Sequence, residues 1–129
     1  MTGHGRTRFI LALASSLTMT ASAYALDCQN PVTTVDMSEC AAIDYQKADD
    51  ELNDVYQQLR SMLDEPGKLL LRDTQRAWIP YREAECARVA DTFRGGSMAG
   101  LAHLSCLSEM TSRRSTELRT DPATGEPLF

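Results

Sequence analysis

The sequence predicts an all-α fold, a compact antiparallel three-helix bundle with its second helix kinked near Pro80 and with two disulfides bracing it. Three observations point there. Apolar residues recur every three to five positions through three long stretches, and breaker clusters at Asp64-Glu65-Pro66-Gly67 and Arg94-Gly95-Gly96-Ser97 separate them. Four cysteines, Cys28, Cys40, Cys86 and Cys106, all follow a segment patterned for export, where an oxidising compartment would pair them.

That leading segment has a basic start with Arg6 and Arg8, an apolar run from Phe9 onward, and small residues Ala23 and Ala25 around Tyr24. Residues 1–25 therefore read as a signal peptide cleaved after Ala25. Ser15, Ser16, Thr18, Thr20 and Ser22 dilute the run, which makes it a poor permanent span; an uncleaved anchor is the alternative. Asp27 directly before Cys28 argues against lipidation, so Cys28 is left for a disulfide. Periplasmic or secreted localisation follows. The remainder suffices for one small domain over 26–120, with a flexible tail at 121–129 marked by Pro122, Gly125 and Pro127.

The leader holds two of the 13 Lys and Arg and none of the 18 Asp and Glu, so its removal moves the net charge from −5 to about −7. Such an acidic protein is a poor partner for nucleic acid and a better one for a basic protein. The charge is uneven. Ten carboxylates between Asp27 and Glu65 face only Lys47 and Arg60, whereas from Pro66 onward eight carboxylates face nine Lys and Arg.

In this acidic stretch Met37, Cys40, Tyr45, Ala48, Leu52, Val55, Leu59 and Leu63 form a helical stripe, with Asp49, Asp50 and Asp54 on other faces. Asp36 or Ser38 is the expected cap, and the Pro66-Gly67 cluster ends the helix near Leu63. The second stripe is Leu71, Gln75, Trp78, Arg82, Cys86, Val89 and Phe93. Pro80 inside it removes a backbone donor and crowds the preceding turn, predicting a kink, with a break into two helices as the alternative. Ser97 is the expected cap of a third helix running to about Leu118, along Met98, Leu101, Leu104 or Ser105, Leu107 or Ser108, and Thr111.

Short links imply antiparallel neighbours. Counting outward from the first turn sets Leu52 and Asn53 opposite Trp78 and Ile79, Tyr56 near Gln75, and Asp49 or Asp50 near Arg82. An inter-helix ion pair at Arg82 follows; if exposed it contributes roughly 0–1 kcal/mol, against about 3–5 kcal/mol for Trp78 packing. Four cysteines allow three pairings. The facing stripes of the first two helices favour Cys40 with Cys86, leaving Cys28 with Cys106.

The run from Ala48 to Asn53 with Tyr56, then Gln75-Arg76-Ala77-Trp78-Ile79 with Tyr81, Arg82 and Cys86, then Gly95-Gly96-Ser97 and Cys106, resembles the lysozyme inhibitor LprI family. The resemblance spans about Cys28 to Leu118. It implies a small exported helical domain, with lysozyme inhibition as the family's named activity. Asn53, Tyr56, Gln75, Arg76, Trp78, Tyr81 and Arg82 are its motif residues, and they also suit core and turn roles. The lipoprotein character of the family's namesake does not carry over, because Asp27 breaks the lipidation context.

The residues argue against an enzyme. His103 is the lone histidine downstream of the leader, with no nucleophile motif or zinc-type His pair, and the cysteine spacings match no zinc module. Glu83 and Glu85 point to different helix faces, while Asp50 and Asp54 share a face without a predicted apolar pocket to raise a pKa. No cofactor, no metal and no catalytic residue is expected. Two functions of different class remain. One is an inhibitor that docks Asp49, Asp50, Glu51 and Asp54 on cationic lysozyme; the other is an envelope adaptor that binds a different protein.

Overall fold

A computed structural model describes residue 1 and residues 25–129; apart from its two end residues, the expected signal peptide lies outside the described residues. Helix α1, Thr34–Met62, starts ahead of both expected caps. Thr33 is the N-cap: its hydroxyl accepts from the Asp36 N–H at 3.0 Å, while the Asp36 carboxylate accepts from the Thr33 N–H at 3.0 Å. This reciprocal box satisfies two otherwise orphaned donors. Ser38 lies inside the helix and donates to the Thr34 carbonyl.

Leu63 and Asp64 reverse the chain. The Asp64 side chain accepts from the Gly67 N–H at 2.9 Å and caps α2, Glu65–Asp91, with Pro66 in the first turn where its missing donor costs nothing. A Cβ at Gly67 would sit 3.0 Å from the Asp64 carboxylate and 3.2 Å from the Leu63 Cβ, so a larger residue there would have to push the cap aside by a few tenths of an ångström. Helix α2 continues through Pro80 as one element, so the expected alternative of two separate helices is not realised. Gly95, at φ 78°, supplies the left-handed step that turns the chain into α3, Met98–Arg119. Ser97 holds the cap position with helical backbone angles and makes no side-chain bond, contrary to the expected cap.

The three helices pack as a bundle in which α3 lies along both others, most extensively along α1, while α1 and α2 meet only sparsely. Buried Ala41 and Ala48 on α1 and Thr111 and Ser115 on α3 are small, which lets helix axes approach closely. The core has two parts. Leu52, Val55, Leu71 and Leu118 fill the end near the Pro66 turn; Cys86, Leu107 and Met110 fill the other. Trp78 packs against both, joining them.

The disulfides are Cys28–Cys40 and Cys86–Cys106, each with Cα atoms 5.4 Å apart. The expected pairing of Cys40 with Cys86 and Cys28 with Cys106 is overturned. The α1 and α2 backbones approach each other only sparsely, and α3 covers Cys86, so Cys86 meets Cys106. Cys40 instead ties the lead-in segment to α1. At the C-terminus, residues 120–128 close a turn in which the Asp121 N–H donates to the Glu126 carbonyl at 2.8 Å and the Leu128 N–H to the Arg119 carbonyl at 2.6 Å. No helix among the described residues is long and apolar enough to cross a membrane.

Candidate functional site

Because α1 and α2 meet sparsely, a groove of about 210 Å³ lies between them. Its α1 wall carries Asp49, Leu52, Asn53, Tyr56 and Gln57, and its α2 wall Gln75, Trp78, Ile79 and Arg82. The levels expected from counting outward along the first turn are the observed ones. Six of the singled-out residues, Asp49, Asn53, Tyr56, Gln75, Trp78 and Arg82, line this one groove.

Arg82 anchors it. Its side chain is only 7% exposed, and the guanidinium donates to the Thr111 hydroxyl at 3.0 Å and to the Glu83 carboxylate at 2.7 Å, with Asp49 at 3.6 Å. The same group lies 5.1 Å from the Trp78 ring centre and 5.3 Å from that of Tyr45. The inter-helix pair with Asp49 is as expected, but it is not an exposed one. A buried guanidinium stripped of partners is far costlier than a broken surface pair. Arg114, 5.8 Å from the Trp78 ring, donates to Gln75 Oε1 at 3.2 Å and pairs with Glu117.

The sequence put Tyr45 and Thr111 on the apolar stripes of their helices but not in the site, and Arg114 in neither. Arg114 sits on a helix whose buried positions are partly polar, Thr111 and Ser115 among them, so hydropathy gave no signal for it. The i, i+3 spacing of Thr111 and Arg114 does place them on one side of α3.

The four carboxylates expected to bind a partner divide into two kinds. Asp49 is held by Arg82 and by an Asn53 amide N–H at 3.3 Å; Glu51 pairs with Arg119 at 2.8 Å. Asp50 is exposed and accepts only from the Gln46 amide, and Asp54 is exposed without a side-chain hydrogen bond or ion pair among the described residues. Positions 50, 54 and 57 form the helical row beside 49, 53 and 56, which puts Asp50 next to the groove's α1 edge and Asp54 one step further round the exposed face. Arg76 is exposed outside the groove, and Tyr81 lines a separate hollow of about 400 Å³ between α2 and α3.

Neither glutamate of the Glu83, Glu85 pair stands free. Glu83 binds Arg82, and a hydrogen bond from Arg88, 2.6 Å away, holds the Glu85 carboxyl below its ordinary value of 4.5. No group of three or more His, Cys, Asp or Glu side chains suited to a metal ion is present among the described residues. His103 is half-buried on α3, and all four cysteines are in disulfides.

Fold and groove together define a small, disulfide-braced helical domain with a partly polar cleft between its first two helices. The chain belongs to the lysozyme inhibitor LprI family, whose model matches residues 27–118. It is also similar to an uncharacterized protein of Rhizobium meliloti (strain 1021), 35% identical over 106 residues, covering 72% of this chain and 76% of that one. No solved structure matches. The closed disulfides and the family both indicate an exported protein.

Proposed function

We propose that the mature chain is an exported, non-catalytic binding protein that inhibits lysozyme by docking the acidic surface of α1 on that cationic enzyme. The family match over residues 27–118 carries this reading. Charge supports it: Asp50 and Asp54 are exposed and unpaired with any cation among the described residues, and the 27–65 stretch holds most of the net negative charge. Opposed fields of this kind accelerate encounter and fix orientation more than they add affinity. The protein acts in the periplasm or outside the cell, where peptidoglycan is exposed to lysozyme. The acidic charge disfavours nucleic acid as a partner, and no helix among the described residues is long and apolar enough to cross a membrane.

The test is clearing of a cell-wall suspension by lysozyme with and without the purified mature protein. Protection is expected at several-fold molar excess in dilute buffer, weakening as salt shortens the range of the field. Full lysis at every ratio and salt concentration would refute inhibition.

A further inference from the structure

The groove has properties that the charge of α1 alone does not explain. Its apolar lining comes from buried Leu52, half-buried Trp78 and exposed Ile79, while its polar groups are only partly satisfied. Gln75 commits its carbonyl oxygen to Arg114, leaving its amide N–H groups unbonded among the described residues; Asn53 commits an N–H to Asp49, leaving its carbonyl oxygen. One wall of the groove thus keeps a free donor, on Gln75, and the other a free acceptor, on Asn53. Extended polypeptide backbone carries the complementary pair, a C=O and an N–H in every residue.

The rim adds sign. Two guanidiniums reach the groove residues, Arg82 and Arg114, and both are already paired, Arg82 with Asp49 and Glu83 and Arg114 with Glu117. The unopposed charge is that of Asp50 and Asp54 on the α1 side. A lysine or arginine entering there would lay its aliphatic stem on the apolar lining and hold its charged end at these carboxylates.

We propose that the α1–α2 groove is the docking site for an extended, arginine- or lysine-bearing segment of a basic protein, a proposal that rests on the inhibitor reading only for the identity of that protein. Tyr56 and Trp78 are the aromatic anchors, Gln75 and Asn53 the backbone readers, and Asp50 with Asp54 the charge readers. Partner contact is concentrated in this groove, as binding energy commonly is in a central aromatic pocket.

Trp78 is the only tryptophan in the chain, so its emission reports on the groove directly. The mature, oxidised protein is titrated in dilute buffer with hexa-arginine and, separately, hexa-glutamate peptides, and lysozyme inhibition is measured in parallel. Three variants are compared after circular dichroism confirms their helical content: Gln57→Arg, which places a cation at the groove mouth; Asp50→Asn with Asp54→Asn; and Glu39→Arg, on α1 away from the groove.

The expected result is a saturable change in Trp78 emission with hexa-arginine alone, lost in Gln57→Arg. Inhibitory potency should fall about tenfold or more in the two groove variants and stay within about twofold in Glu39→Arg. If the peptide response is present and groove-dependent while lysozyme is not inhibited, the groove assignment stands and the inhibitor reading fails. If lysozyme is inhibited equally by wild type and Gln57→Arg, the groove assignment is overturned and the inhibitor reading stands. An unmoved Trp78 emission at saturating hexa-arginine also overturns it.

Discussion

Arg82 reaches across the α2–α3 interface and donates to the Thr111 hydroxyl at 3.0 Å, inside a region where Thr111 has no solvent exposure. This bond, the Asp49 and Glu83 carboxylates and the Trp78 and Tyr45 rings surround one buried charge. The groove wall and the core of the bundle therefore share an element.

Removing that charge leaves Asp49 and Thr111 without their partner. Arg82→Ala is expected to destabilise by about 3–5 kcal/mol and Thr111→Val by about 1–2 kcal/mol in urea denaturation. Arg82→Lys should recover little, because an ammonium cannot reproduce the planar fork that reaches Thr111 and Glu83 together. Full recovery by lysine would show that charge alone matters at this position.

Trp78→Ala removes the side chain that joins the two core clusters. A loss of about 3 kcal/mol is expected, at the lower end for tryptophan because the ring is half-buried. Denaturation midpoint at unchanged m-value is the measurement, and a cost under about 1 kcal/mol would contradict the bridging role.

Trypsin checks the disulfide pairing under non-reducing conditions. Residues 83–88 should leave covalently joined to residues 95–113, while Cys28 and Cys40 stay within one peptide ending at Lys47. Replacing Cys86 and Cys106 by serine should cost about 2–4 kcal/mol, since that bond closes the α2–α3 turn. Replacing Cys28 and Cys40 should cost less, about 1 kcal/mol, because the segment it tethers is exposed.

The capping box gives a pH dependence. The Thr33 backbone N–H, then its hydroxyl, hold the Asp36 carboxyl below the ordinary value of 3.8. A depressed folded-state pKa contributes stability that is complete above 3.8 and is lost as pH falls from there through the folded value. An NMR titration of the Asp36 carboxyl should show a midpoint below 3.8, and Asp36→Asn should abolish this acid-side contribution. A midpoint at or above 3.8 would mean the box is open in solution.

Much of the fold was legible because apolar spacing is a strong signal in α1 and α2. Cys40, Ala48, Leu52 and Val55 are buried as their stripe required, and so are Leu71, Arg82 and Cys86. Helix α3 was harder to read, since it packs on two neighbours and buries Thr111 and Ser115 together with Leu107, Met110 and Leu118. A wide, partly polar buried face leaves little periodicity. The same geometry hid the disulfides, whose partners depend on where α3 lies. The cap at Thr33 was missed because its reciprocal residue is Asp36, where the common box has a longer Glu or Gln.

The groove was legible in part. Counting from the Pro66 turn puts Asp49, Asn53 and Tyr56 across from Arg82, Trp78 and Gln75, because a two-residue link fixes the levels of both helices. It could not separate Asp49 and Glu51, which are held by Arg82 and Arg119, from Asp50 and Asp54, which are not. That distinction depends on side chains from a third helix and from the far wall.

The most direct measurement of the central claim is equilibrium binding of purified lysozyme to the mature protein and to its Asp50→Lys, Asp54→Lys double variant, in dilute buffer and at increasing salt. Docking through the acidic rim of α1 predicts that wild type binds and weakens with salt, and that the double variant loses at least about tenfold in affinity, a change of about 1.4 kcal/mol. Equal affinity of the two proteins, with the same salt dependence, would contradict it.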